Sequence, residues 1–207
     1  MISGLYAITR ETDNTGYLLA SVEAVLRGGA GVVQYRDKSA DIARQHEQAS
    51  ELLALCQQFE VPLIINDNLR LADLVGADGV HLGRDDSTIH EARIILGHDR
   101  IIGVSCYQSY SLAEVAQSKG ADYVAFGSFF SSVTKPNATR AELDILRQAH
   151  GLHVPIVAIG GITLHNAGSV INAGADAVAV INALFDSQNI EATARQFTNL
   201  FIAETED

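Results

Sequence analysis

A five-residue phrase recurs four times along the chain: GAGVV at 29–33, GADGV at 76–80, GADYV at 120–124 and GADAV at 174–178. Each copy follows a helix-like pattern and opens a short apolar run. The glycine suits a helix C-terminus, where a left-handed backbone costs it little. The apolar residues behind it suit a strand buried on both faces, as parallel strands are. Intervals of 47, 44 and 54 residues between copies are too long for one strand–helix unit and fit two. The alternate strands lie between the repeats, in LYAI (5–8), PLIIN (62–66), IIGVS (101–105) and PIVAIGG (155–161).

Eight strands are therefore expected near 5–8, 31–36, 62–66, 78–82, 101–105, 122–126, 155–159 and 176–181. Helical patterns fill the gaps, near 17–28, 39–58, 68–75, 87–96, 109–119, 139–149, 163–173 and 189–203. Eight alternations predict an α/β fold, a single (β/α)8 TIM barrel over residues 1–207. A doubly wound open sheet is the structural alternative, but it leaves the fourfold echo unexplained. No linker or low-complexity stretch marks a second domain.

Bulk composition narrows the function classes. With 47% hydrophobic and 19% charged residues, the chain reads as an ordinary globular protein with a sizeable core. A net charge of −11 argues against nucleic-acid binding, which rests on a basic surface. No apolar run approaches the roughly 20 residues that span a bilayer. Cys56 and Cys106 show no CxxC or metal spacing and the N-terminus is not signal-like, so two free thiols in a reducing cytoplasm are expected. Whether copies of the chain associate into a homo-oligomer stays open.

Ligands of such barrels sit at the C-terminal ends of the strands, and nearly every end here is polar or glycine-rich. Asp67 and Asp86 follow adjacent strands, with no His or Cys at metal spacing beside them; hard carboxylate oxygens favour Mg²⁺ over Zn²⁺. The alternative for Asp67 is capping of the third helix. The stretch QYRDK (34–38) places Gln34, Arg36 and Lys38 at every second position, hence on one face if the strand continues. Lysine is scarce, with only Lys38, Lys119 and Lys135 in the chain. Arg36, Lys38 and Lys135 opposite an acid pair suit a bound polyanion such as a diphosphate. The competing reading pairs Arg36 and Lys38 with Asp37 and Asp41. IGGI (159–162) and VIN (180–182) suit a second phosphate, cradled by backbone N–H groups. Two anionic sites imply two phosphorylated small-molecule partners. His81 reads as a satisfied packing histidine or as an acid/base, Ser105 as a hydrogen-bonding group, and Cys106 as a small buried residue.

These residues give the chain a close resemblance to the thiamine-phosphate synthase family. The marks are LYAIT (5–9), QYRDK (34–38), IIND (64–67), ADGVHLGRDD (77–86), GVS (103–105), SVTK (132–135), AIGGI (158–162) and AVIN (179–182). The resemblance implies a transferase of thiamine biosynthesis. It would join 4-amino-2-methyl-5-(diphosphooxymethyl)pyrimidine to a thiazole phosphate, or its carboxylated form, giving thiamine phosphate and diphosphate. It also implies that Gln34, Arg36, Lys38, Asn66, Ser105 and Lys135 bind the pyrimidine diphosphate, with Tyr35 and Asp37 inside the same segment. Asp67 and Asp86 would hold Mg²⁺. Ser132, Thr134, Gly161, Ile181 and Asn182 would hold the thiazole phosphate, with Val133 among the substrate-binding residues of the same segment.

Four positions, in three places, depart from the family pattern. Gly83-Arg84-Asp85-Asp86 stands where G-Q-E-D is common, Ser132 replaces a usual Thr, and Asn182 a common Ser. No required chemical group is lost. Catalysis by Arg36, Lys38, Lys135 and the cation would stabilise a departing diphosphate. The aminopyrimidine supports positive charge on its methylene, and the thiazole nitrogen would capture that cation. Two alternatives remain at this stage. A related thiazole tautomerase is similar to this barrel but implies a histidine two residues after the GxS serine, where this chain has Tyr107. A non-catalytic phosphate-binding barrel would need neither the acid pair nor the lysines.

Overall fold

A computed structural model describes residues 2–131 and 139–202. The eight strands are β1 (Gly4–Ile8), β2 (Val32–Tyr35), β3 (Leu63–Asn66), β4 (Gly79–Leu82), β5 (Ile101–Tyr107), β6 (Tyr123–Gly127), β7 (Ile156–Ile159) and β8 (Ala177–Val180). All pair in parallel and in sequence order, and β8 closes on β1. Closure overrules the open-sheet alternative. Between the strands run α1 (Thr15–Arg27), α2 (Ile42–Gln58), α3 (Leu69–Val75), α4 (Ile89–Leu96), α5 (Tyr110–Ser118), α6 (Asp144–Ala149) and α7 (Ala167–Ile171). After β8 come a four-residue helix, α8 (Asn182–Phe185), and then α9 (Ile190–Ile202). Helical patterning does not anticipate α8. It also overextends two helices, since 139–143 and 163–166 are not α-helical.

The fourfold phrase has a physical basis at the N-terminal end of the barrel. Its glycines adopt φ of 89, 72, 90 and 108° at 29, 76, 120 and 174, the left-handed turn that leads a helix back into a strand. The aspartate of the GAD copies then clamps the preceding strand. Asp78 Oδ2 accepts from Leu63 N at 2.8 Å, Asp122 Oδ2 from Ile102 N at 2.6 Å and Asp176 Oδ2 from Ile156 N at 2.7 Å. The N–H of each aspartate returns a bond to the carbonyl of the same residue. Gly31 takes the aspartate's place in the first copy because any Cβ there would run into the Ser3 carbonyl. Asp78→Ala leaves the N–H of fully buried Leu63 without this acceptor. Urea unfolding is expected to show a loss of about 1–3 kcal/mol, the cost of an unsatisfied buried donor.

Side-chain alternation divides the core in two. Outward positions such as Leu5, Val33, Leu63, Val80 and Val178 pack against the helices. Inward positions form a second cluster that includes Tyr6, Ile8, Val32, Ile64, Tyr123, Ala125, Val157 and Ala179. The barrel centre is therefore filled. Chemistry is confined to its upper layer and to the loops above it.

Candidate active site

The acid pair is assembled by two loops. Asp67 follows β3 with φ of 60°, an uncommon conformation for a non-glycine residue, and its N–H donates to the His81 carbonyl at 2.9 Å. It does not cap α3. Asn68 does, accepting from Leu71 N at 3.0 Å, and this sets aside the capping alternative for Asp67. The Asp67 carboxylate instead receives the Lys38 ammonium and lies in hydrogen-bonding contact with Asp86. Asp86 Oδ2 also accepts from Gly83 N at 2.6 Å. Burial raises the Asp86 pKa, and sharing a hydrogen bond with Asp67 raises it further. Burial acts the same way on Asp67, but Lys38 and Asp86 outweigh it and hold Asp67 below its ordinary value. Asp85 is exposed, outside this cluster.

Two carboxylates side by side, next to an ammonium, supply the oxygen ligands that a hard divalent cation takes. No cluster of three or more His, Cys, Asp or Glu ligands occurs among the described residues.

Gln34, Arg36 and Lys38 do not form one strand face. β2 stops at Tyr35, because β1 ends at Ile8, opposite Gln34, and offers no further ladder. Side chains of the following loop take over the orphaned N–H groups. Thr9 Oγ1 accepts from Arg36 N at 2.9 Å and Glu11 Oε2 from Lys38 N at 3.0 Å. Gln34 points into the barrel and is buried, while Arg36 is half-buried and Lys38 exposed. The Arg36 guanidinium has no ion-pair partner among the described residues, and Lys38 pairs with Asp67 rather than with Asp37 or Asp41. Tyr35 and Asp37 lie in the same segment. Their side chains turn to α2, where Tyr35 OH donates to Gln48 Oε1 at 2.8 Å and buried Asp37 faces Arg44 Nε at 3.5 Å. Both side chains sit at the seam between wall and helix.

Inside the mouth a chain of polar side chains crosses the barrel. Gln34 Nε2 donates to Tyr6 OH, Tyr6 OH meets Tyr123 OH, and Tyr123 OH meets His81 Nδ1, each at 2.8 Å. His81 Nε2 meets Ser105 Oγ, also at 2.8 Å. Both nitrogens of His81 are thus occupied. Burial lowers its pKa to about 4, and nearby Asp67 only partly offsets this. The packing reading of His81 holds. Gly103 makes room for the arrangement: it pairs with His81 on one side and Tyr123 on the other, and a Cβ there would strike the Tyr123 ring. Across that gap the two rings stack with centroids 5.5 Å apart. Asn66 ends β3 in register with His81, in the same upper layer.

On the opposite side, Gly160 and Gly161 turn the chain out of β7 with φ of 105 and 63°. Side chains are barred at both: a Cβ on Gly160 would hit Ser128, and one on Gly161 the backbone of Phe130 and Ser131. The glycine pair is therefore required first by packing against the loop after β6. The Gly161 and Ile162 N–H groups have no acceptor among the described residues. Ile181 precedes α8, which begins at Asn182 beside this turn. Ser132, Val133, Thr134 and Lys135 lie outside the described residues.

Several site residues escaped the sequence reading. Thr9 and Glu11, just past β1, position the Arg36–Lys38 segment. Tyr6 and Tyr123 were legible only as strand residues, although a tyrosine at an inward position of a narrow barrel signals a buried hydroxyl in need of a partner. Tyr107, at φ of 55° after a register shift in β5, accepts from Arg84 N at 3.1 Å. The Arg84 guanidinium lies 4.7 Å above its ring. This contact braces the loop that carries Asp86.

A filled (β/α)8 barrel with an acid pair, a lysine and a glycine turn around its C-terminal mouth belongs with barrels that act on phosphorylated small molecules. Comparison with known proteins narrows the class. The thiamine monophosphate synthase family matches residues 5–184. A thiamine-phosphate synthase of Thiobacillus denitrificans is 60% identical over 205 residues, covering 99% of this chain and 97% of the relative. One of Methylobacillus flagellatus is 56% identical over 200 residues, covering 97% and 96%. The solved thiamine phosphate pyrophosphorylase of Pyrococcus furiosus superimposes with a TM-score of 0.87 at 32% identity, covering 97% of this chain and 96% of that one. The chain belongs to the thiamine monophosphate synthase family.

Proposed function

We propose that this chain condenses 4-amino-2-methyl-5-(diphosphooxymethyl)pyrimidine with 4-methyl-5-(2-phosphooxyethyl)thiazole, or its carboxylated form, releasing thiamine phosphate and diphosphate. The observation that carries the reading is the convergence of Lys38, Asp67 and Asp86 at the mouth of a barrel of this family. Asp67 and Asp86 would hold Mg²⁺, whose charge stabilises the diphosphate as it departs. Lys38 and Arg36 add charge on the same side, and Lys135 joins them on sequence resemblance. Gln34, Asn66 and Ser105 hold the pyrimidine. The N–H groups of Gly161 and Ile162, with Ile181 and Asn182, receive the thiazole phosphate, and Ser132, Val133 and Thr134 belong to that set by resemblance alone.

Bond breaking precedes bond making in this scheme. The pyrimidine methylene loses diphosphate, its cation is stabilised by the amino-substituted ring, and the thiazole nitrogen captures it. The residues contribute charge, orientation and exclusion of water, and none needs to act as a nucleophile. Among the described residues no helix is long and apolar enough to cross a membrane. Cys56 and Cys106 are free and buried, which suits a reducing compartment such as the cytoplasm.

Incubation of the purified chain with both substrates and Mg²⁺ should yield thiamine phosphate and diphosphate in equal amounts. EDTA should abolish the product and added Mg²⁺ restore it. Full turnover without a divalent cation would overturn the metal assignment, and no product with Mg²⁺ present would overturn the reaction.

A further inference from the structure

The chain that leaves β1 is attached to the loops on both sides of it. In the closed barrel β1 lies between β8 and β2, so residues just past its end can reach the segment after either neighbour. Thr9, Arg10 and Glu11 divide that reach. Buried Thr9 adds a last rung to the ladder, its N–H donating to the Gln34 carbonyl at 2.9 Å. Its hydroxyl oxygen then accepts from Arg36 N at 2.9 Å, and Glu11 Oε2 accepts from Lys38 N at 3.0 Å. The Arg10 guanidinium turns the other way and pairs with Asp186, the C-cap of α8. Asp186 N–H donates to the Asn182 carbonyl at 2.9 Å, which ties this ion pair to the first residue of α8.

The charges on this segment are informative. β2 ends at Tyr35, so no strand ladder fixes Arg36 and Lys38. Lys38 is held instead at two points, its backbone by Glu11 and its ammonium by Asp67. Glu11 is exposed, and its negative charge at the edge of a site for polyanions is an electrostatic cost. The one hydrogen bond its carboxylate makes among the described residues is the bond to Lys38 N.

We propose that residues 9–11 are a common support for the two anion subsites. Thr9 and Glu11 are positioning residues for Arg36 and Lys38, and Arg10, acting through Asp186, is a positioning residue for α8. This rests on the assignment of Arg36 and Lys38 to the diphosphate and of Ile181 and Asn182 to the thiazole phosphate. It adds residues that need not touch either substrate.

Steady-state kinetics of variants at the exposed positions separate the two halves of the support. Glu11→Ala should lower kcat about fivefold, the scale of one hydrogen bond, with KM for the thiazole phosphate within about twofold of wild type, consistent with loss at one subsite. Glu11→Gln keeps an oxygen acceptor for Lys38 N and should recover most of that rate. In a Lys38→Ala background, Glu11→Ala should cost less than about twofold, because the group it positions is already gone. Arg10→Glu sets like charges together at Asp186 and should raise KM for the thiazole phosphate about threefold, the scale of one exposed ion pair. Adding Asp186→Arg should reverse that increase. An equal loss from Glu11→Ala with and without Lys38, or an Arg10→Glu effect that Asp186→Arg leaves in place, in proteins with wild-type melting behaviour, would overturn the support role. A wild-type chain that forms no product would overturn the proposed function and this inference with it. Normal turnover in wild type and in every variant would overturn this inference alone.

Discussion

Asp67→Ala and Asp86→Ala should each lower kcat by about 10³, while Asp85→Ala should stay within about twofold of wild type. The size follows from what converges on the pair. Lys38 pairs with Asp67, Asp67 shares a hydrogen bond with Asp86, and Gly83 N–H fixes Asp86 from the other side. Removing one member leaves the other carboxylate without the geometry for a divalent cation. On the proposed function it would also remove the cation whose positive charge would stabilise the departing diphosphate, an effect typically about 10²–10³ for one preorganised group. Asp85 is one residue away and exposed, so neither argument reaches it. Turnover and Mg²⁺ titration of the three variants decide the matter. Loss in Asp85→Ala with retention in Asp86→Ala would mean that the loop presents the other acid.

Lys38→Ala should lower kcat by about 10² with a smaller change in KM for the pyrimidine diphosphate, and Lys119→Ala should be close to neutral. The Lys38 backbone is tethered by Glu11 and its ammonium by Asp67, so the cation is held in place before substrate arrives. A fixed cation interacts more strongly with the diphosphate as negative charge accumulates on it, which favours the transition state over bound substrate. Lys119 is the residue after α5, with its N–H on the Val115 and Ala116 carbonyls; there a cation offers only a modest interaction with the helix dipole. Single-turnover rates read the chemical step directly. A wild-type single-turnover rate for Lys38→Ala would remove this lysine from the leaving-group machinery.

The sequence carried the barrel because its signal was local and repeated. A glycine at positive φ, an aspartate that clamps the preceding strand and a β-branched run behind it are all short-range features, and copies of them state the same thing several times. Asp67, Asp86, Lys38 and Ser105 stand out for a similar reason: each is a polar residue close to the end of an apolar strand or just beyond it. The short helix α8 was not legible, since four residues show no helical period. Nor was the end of β2, because it is set by where β1 stops rather than by anything in VVQYRDK. The side-chain partners of Tyr35 and Asp37 follow from it. Once the ladder ended, Asp37 was captured by Arg44 of α2.

The sequence by itself determined the eightfold alternation, the acids and cations at the strand ends, and the family resemblance they carry. Only the tertiary structure decided which partners those groups take. Lys38 meets Asp67 across 29 positions of sequence, and Tyr6 meets Tyr123 across 117. Such pairings depend on barrel closure, on register, and on the missing side chain of Gly103 in β5, which lets the rings of His81 in β4 and Tyr123 in β6 stack across it. Local sequence sets which groups are available, whereas long-range packing sets which of them touch.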